Sequence, residues 1–185
     1  MYAITVGDQG EELRPLEPWH AAQFLAHIDR GRELIGRHVR MADSVPDLAA
    51  SRALLQRFAE KAAADTGRIF GIWRGEEVVG GVLFPMLDAE HGLAEAGCWL
   101  EPSAVGRGLV TRACRVIIDW AVEERGIQRV EWIVPSENAP SIAVARRLGM
   151  TFEGTRRSAA VHRGVRQDLQ TWSVLADEWR AARER

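Results

Sequence analysis

Apolar positions change period along the chain, and the changes mark the elements. Leu13–Leu16 reads as a short first strand. Pro18 then opens a helix with Ala21, Phe24, Leu25 and Ile28 at helical spacing. Residues 31–45 have no clear period and read as loop plus a helical turn. Ser44, Pro46 and Asp47 mark a second helix start, whose buried stripe is Leu54, Leu55, Phe58 and Ala62 and whose end is Gly67. The period then shortens. Ile69–Trp73 and Val78–Phe84 are two strands joined by Arg74-Gly75-Glu76-Glu77, a hairpin signal. Pro85 to Gly92 reads as a connection and Ala94–Leu100 as a fourth strand. Leu109, Ala113, Val116, Ile117 and Trp120 share one face of a long helix ending before Gly126. Arg129–Val134 is a fifth strand cut by Pro135, Asn138–Arg147 a short helix, and Met150–Thr155 and Gln167–Leu175 the last strands. This order predicts an α+β fold: one domain over residues 1–185 with a mixed sheet of about seven strands.

Composition narrows the chemistry. The 185 residues carry 24 basic and 26 acidic side chains, a net charge of −2, which argues against direct nucleic-acid binding and against an anionic membrane surface. All the basic residues except Lys61 are arginines, interspersed with acids, as on a solvated surface. Cys98 and Cys114 lie in apolar segments with neither metal-ligand spacing nor a disulfide framework, so no metal is expected and both read as core. No signal peptide or membrane-length apolar run is evident, and the cytoplasm is the expected compartment.

The strongest local feature is a strand, a glycine-bearing loop and a helix: Cys98-Trp99-Leu100-Glu101-Pro102-Ser103-Ala104-Val105-Gly106-Arg107-Gly108-Leu109. Glycine permits positive φ and close backbone approach. The free N–H groups of a helix start suit a phosphate or pyrophosphate, although a plain turn explains the same spacing. No Gly-Lys-Ser/Thr follows, which excludes a P-loop, and the third glycine of a dinucleotide fold is missing. Downstream, Asn138-Ala139-Pro140-Ser141 precedes a helix stopped by Leu148-Gly149. Helix punctuation alone accounts for that pattern: an N-cap, a first-turn proline and a C-cap.

Together the two features resemble the GNAT superfamily of N-acetyltransferases, whose signature Gln/Arg-x-x-Gly-x-Gly/Ala is matched by Ser103-Ala104-Val105-Gly106-Arg107-Gly108. Ser103 departs from it and the glycines agree. Ala94 to Leu100, Asn138-x-x-Ser141, Leu148-Gly149-Met150 through Glu153-Gly154, and Glu178-Trp179 look like the RimJ/RimL branch, which acetylates ribosomal-protein N-termini. The resemblance spans Leu13 to Trp179 and is weakest between Gly31 and Val45.

It implies a GNAT fold with helices on both faces of the sheet and a splay between strands four and five that takes acetyl-CoA, with no metal. The implied coenzyme contacts are Trp99, Leu100, the backbone of Val105, Gly106, Arg107, Gly108, Leu109 and Val110, the amide of Asn138, and Arg146 or Arg147 at the 3′-phosphate. It further implies direct attack of an amine on the thioester, with a backbone N–H near Leu100 polarising the carbonyl and Ser141 protonating the departing thiolate. The glutamate that some relatives use as base falls on Ala160, so Glu95, among small neighbours in its strand, is the candidate base, ahead of His162 and Asp168. Deprotonating an α-amine at pH 7 costs about 1 kcal/mol and a lysine amine about 4.6 kcal/mol, so a site without a strong base suits an α-amine, such as a ribosomal or other protein N-terminus. Relatives often form dimers, and a homodimer is carried over with the resemblance. Two further readings stay open: a non-catalytic acyl-CoA-binding sensor, favoured by Ser103 and Ala160, and an acetyltransferase for aminoglycosides or polyamines.

Overall fold

The computed structural model describes residues 3–183. Eight strands form one sheet in the order β1-β2-β3-β4-β5-β6-β8-β7. They are β1 (Ile4–Thr5), β2 (Glu12–Pro15), β3 (Arg68–Arg74), β4 (Glu77–Asp88), β5 (Leu93–Leu100), β6 (Arg129–Pro135), β7 (Thr151–His162) and β8 (Val165–Leu175). The helices are α1 (Ala21–Gly36), α2 (Met41–Ser44), α3 (Leu48–Ala63), α4 (Leu109–Arg125), α5 (Ala139–Arg147) and α6 (Ala176–Arg183). Every neighbouring pair of strands is antiparallel except β5 and β6. That parallel pair is joined by the α4 crossover, as parallel strands require.

The two sheet faces bury separate cores. Alternate residues of β5, Ala94 and Ala96, pack with Leu109, Ala113, Ile117 and Ile118 of α4 and with α5. On the opposite face Trp99 joins Phe24 and Ile28 of α1 and Leu55 and Phe58 of α3. Trp99 fits there because Gly81 faces it across the β4–β5 ladder; a Cβ at Gly81 would meet the indole ring at 2.3 Å.

Four expectations change. The sheet has eight strands rather than about seven, because the two-residue β1 escapes any periodicity test. Pro85 does not end its strand: β4 runs on to Asp88 through a register shift between Leu83 and Met86, and a bulge is where a strand tolerates proline. The ambiguous stretch after Gly31 is helical to Gly36 and again over α2, and its helix α1 is fixed by packing against α3 and the sheet. The last two strands are also longer than expected and form a hairpin that carries two irregularities in β7. Its tip is tied to the α1–α2 end. His162 bonds the Gly36 carbonyl at 2.8 Å, Arg163 pairs with Asp43 at 2.6 Å, and Arg40 donates to the Val161 carbonyl.

Candidate active site

The site begins where β5 and β6 part. Their ladder holds only Leu93↔Arg129, Ala94↔Val130 and Glu95↔Glu131, while β5 continues to Leu100 and β6 to Pro135. Beyond Glu95 the strands are held from outside, β5 by β4 and β6 by β8. The Glu101 N–H donates to the Val79 carbonyl at 3.0 Å. Because backbone groups alternate along a strand, the N–H and C=O groups of Ala96, Cys98 and Leu100 therefore turn toward β6. The Ala96 N–H ends the ladder on the Glu131 carbonyl, but the Ala96 carbonyl and both groups of Cys98 and Leu100 meet no ladder there, and buried backbone groups demand partners. An extended ligand carrying amides fits such a seam.

At the end of the seam the chain turns through residues 101–108 into α4. Gly106 and Gly108 have φ of +83° and +71°, and Gly108 caps the helix with no side chain over its first turn. The backbone N–H groups of residues 106–111 find no acceptor among the described residues. They converge at the positive end of a helix of 17 residues, the arrangement that binds phosphate groups. Leu109 is buried in the core and offers backbone only, as does Val110, whereas the N–H of exposed Val105 is spent on the Pro102 carbonyl, so the free donors begin at Gly106. Arg107 is committed elsewhere, its guanidinium pairing with buried Glu11 at 2.6 Å.

Across the seam, Asn138 caps α5. Its Oδ1 accepts from the Ser141 N–H at 3.2 Å, which leaves the amide NH₂ free to donate. The Ser141 hydroxyl oxygen accepts from the buried Trp132 indole N–H at 3.0 Å. An indole only donates, so the serine proton remains available to a second partner.

Two of the expected coenzyme contacts are placed differently. The Trp99 ring and backbone both turn away from the seam, the ring toward α1 and the backbone toward β4. Arg146 lies 5.5 Å over the Trp172 ring, on the β8 side of α5. Arg147 instead reaches α4, donating to Thr111 Oγ1 at 3.2 Å, so of the two it is Arg147 that lies beside the open helix start. Helical geometry separates the two: consecutive residues leave a helix about 100° apart.

Glu95 sits at the closed end of the seam on the face opposite α4, half-buried. Its carboxyl is pushed above the ordinary carboxylate range, first by burial and then by the charge of its cross-strand neighbour Glu131, with Arg156 opposing. Glu131 is in turn held by Arg129 at 2.8 Å, which also grips Glu153 at 2.5 Å, and Ser173 donates to Glu153 at 2.7 Å. The Arg129 guanidinium and then the Ser173 hydroxyl hold Glu153 down at about 2. These charge partners come from three strands distant in sequence, and no local motif signals them.

The weaker base candidates have structural duties. His162 fastens the hairpin tip, and Asp168 accepts from the Ser158 N–H at 2.7 Å inside the β7 irregularity. Ala160 lies just beyond that irregularity, opposite Gln167. Both cysteines are free thiols, and burial together with neighbouring Cys98 raises Cys114 far from thiolate character. No group of three or more His, Cys, Asp or Glu among the described residues is arranged to hold a metal ion. No helix among them is long and apolar enough to cross a membrane.

Residues 12–151 match the family described as the acetyltransferase (GNAT) domain. YdaF of Bacillus subtilis (strain 168) is 29% identical over 168 residues, covering 90% of this chain and 92% of its own. The ribosomal-protein-serine acetyltransferase of Escherichia coli (strain K12) is 24% identical over 110 residues, covering 60% of this chain and 62% of its own. Among solved structures, the ribosomal-protein α-N-acetyltransferase RimL in complex with coenzyme A superposes with a TM-score of 0.88 at 20% identity, covering 95% of this chain and 99% of that one.

The Glu153 ion pair sets a pH signature. A carboxylate held at about 2 when folded stabilises the fold above the unfolded value of 4.5, and this is lost as pH falls through the interval between them. Glu153→Gln is therefore expected to lower the melting temperature near neutral pH, with the gap to wild type closing as melts are repeated toward pH 2.

Proposed function

The chain belongs to the GNAT acetyltransferase family, an acyltransferase family that uses acetyl-CoA as co-substrate, and from that premise we propose that this enzyme acetylates the α-amine of a protein or peptide N-terminus. The observation that carries the reading is the seam between β5 and β6, with its unpaired backbone leading to the open start of α4. The E. coli relative named for acetylating a ribosomal-protein serine, and the fold shared with RimL, support a ribosomal protein as the acceptor.

The residues fit the co-substrate. The N–H groups of residues 106–111 take the pyrophosphate, Arg147 the 3′-phosphate, and the amide of Asn138 with the Ala96 carbonyl and the gap-facing groups of Cys98 the pantetheine arm. Acetyl-CoA supplies an acetyl group activated on sulfur. Leu100 directs its N–H into the seam, where it stabilises negative charge developing on a carbonyl oxygen. Glu95 takes the proton from the attacking amine; a raised carboxyl is the better base, since its affinity for a proton approaches that of the amine. Ser141, already accepting from Trp132, donates its proton to the leaving sulfur. Proximity supplies much of the remaining acceleration, and no acyl-enzyme is needed.

An α-amine is the acceptor this site handles best. One half-buried carboxyl, still an acid weaker as a base than lysine, must remove a proton that costs about 1 kcal/mol from an α-amine and about 4.6 kcal/mol from a lysine at pH 7. The cytoplasm, where ribosomal proteins are made, suits such an acceptor, and the long exposed edge strand β7 is available to a second copy of the chain for a homodimer.

Two experiments test the reading. Coenzyme A release measured with a panel of acceptors should be at least about tenfold faster with N-terminal peptides than with a lysine side chain, reflecting that proton cost. Faster turnover of lysine would contradict it. Glu95→Gln should lower kcat by about 10²-fold or more and remove the acid limb that protonation of Glu95 imposes on the pH–rate profile, leaving the acceptor's own ionisation, as loss of a general base does. An unchanged profile would remove Glu95 from that role.

A further inference from the structure

Beneath the coenzyme loop lies a buried polar network that the transfer chemistry does not use. His27 on α1 is fully buried. The Trp99 indole donates to its Nε2 at 2.9 Å, and its Nδ1 lies 3.1 Å from Glu101 Oε2. Indole nitrogen only donates, so Nε2 must be the acceptor and the ring is a neutral imidazole with its proton on Nδ1, donating to Glu101. Burial favours the same neutral form, with Glu101 pulling the other way. Glu101 is then saturated. Oε2 also receives the Arg30 Nε–H at 3.1 Å, and Oε1 receives the Ser103 hydroxyl at 2.5 Å. Arg30 donates onward to the Val78 carbonyl at 2.8 Å, tying the network to β4.

The placement gives the network its meaning. Trp99 ends in β5, Glu101 and Ser103 form the first turn of the 101–108 loop, and His27 and Arg30 lie one helical turn apart on α1. Ser103 occupies the position where the family signature has glutamine or arginine. Here a hydroxyl short enough to bond the adjacent Glu101 replaces a long side chain. The loop's own backbone offers little restraint: Ala104 and Val105 donate within the turn, and the N–H groups after them are free. Its geometry must come from elsewhere: the far end is held by Arg107 on buried Glu11 and by Arg112 on the Arg107 carbonyl, the middle by buried Ala104, and the end next to β5 by the buried Glu101 carboxylate.

We propose that His27 is a positioning residue for coenzyme binding, which through Trp99 and Glu101, with Ser103 as the outer clasp, fixes the loop so that its free N–H groups converge. The inference rests on the coenzyme-loop reading above. It assigns no contact between His27 and substrate. Its loss should therefore weaken the coenzyme specifically and leave the acceptor and the chemical step alone.

The test compares wild type with His27→Phe, which keeps a ring of similar size but removes donor and acceptor, with His27→Gln, which restores one of each, and with Ser103→Ala at the loop end. Coenzyme A affinity is read by calorimetry, alongside KM for acetyl-CoA, KM for a peptide acceptor, kcat and melting temperature. In His27→Phe, Kd for coenzyme A and KM for acetyl-CoA should both rise about tenfold or more, the range set by leaving buried polar groups unpaired. Its kcat and peptide KM should stay within about twofold. His27→Gln should recover most of the loss, and Ser103→Ala should weaken coenzyme A about threefold with a fall in melting temperature of only a few degrees (about 2–4 °C), as loss of one hydrogen bond does. Should His27→Phe fail to fold, Ser103→Ala and His27→Gln decide alone. Variants that fold and bind coenzyme A as wild type does would overturn the proposal while sparing the coenzyme-loop reading. A wild type without affinity for coenzyme A would overturn both.

Discussion

A sheet that opens along an internal seam leaves backbone groups without partners, and the fold has to hold the two halves apart while something else satisfies them. Here the parting follows the single parallel pair, β5 and β6. Each strand is secured by an antiparallel neighbour on its far side, so the gap costs the sheet few hydrogen bonds beyond those along the seam itself. Pro135 closes β6 without an N–H to offer, and the glycine turn after β5 launches α4 from the same end. The open strand edge and the open helix start thus form one continuous surface of donors and acceptors.

The two faces of the sheet divide the labour. α4 and α5 cover the face that carries the helix start, the α5 cap and Arg147, the groups suited to phosphates and amides. Glu95 and Trp99 point to the other face, where α1, α3 and the latched β7–β8 hairpin lie. Glu95 therefore faces the side opposite the helix start and the α5 cap. Burial and Glu131 raise its proton affinity, while Arg129 pairs with both Glu131 and Glu153.

What the sequence made legible was local. Gly108 and Gly126 bracket α4, Asp47 caps α3 with a 2.8 Å bond to Ala50 N–H, and Asn138 caps α5, all as the residue types imply. The order of strands and helices and the position of the glycine turn before α4 follow from such signals. What stayed hidden depends on partners far along the chain. Pro85 reads as a strand end until the β4–β5 bulge that accommodates it is seen, and the exposed, arginine-rich β7 has no apolar alternation because both of its faces are exposed over most of its length. Trp99 and Arg146 carry the right chemistry in the right motif, yet Gly81 draws one toward α1 and Trp172 draws the other away from α4. Likewise the match of Glu95 to Glu131 is a register across a crossover of more than thirty residues, which no window of sequence contains.

Amide hydrogen exchange tests the central claim most directly. With the protein alone, the N–H groups of Cys98 and Leu100 and of residues 106–111 should exchange far faster than those of Val82 or Ile117 in the sheet and helix cores. Addition of coenzyme A should slow that set together while leaving the acceptor face unchanged. If those amides are already protected without ligand, or if saturating coenzyme A leaves their exchange unaltered, the seam is not where the thioester carrier binds.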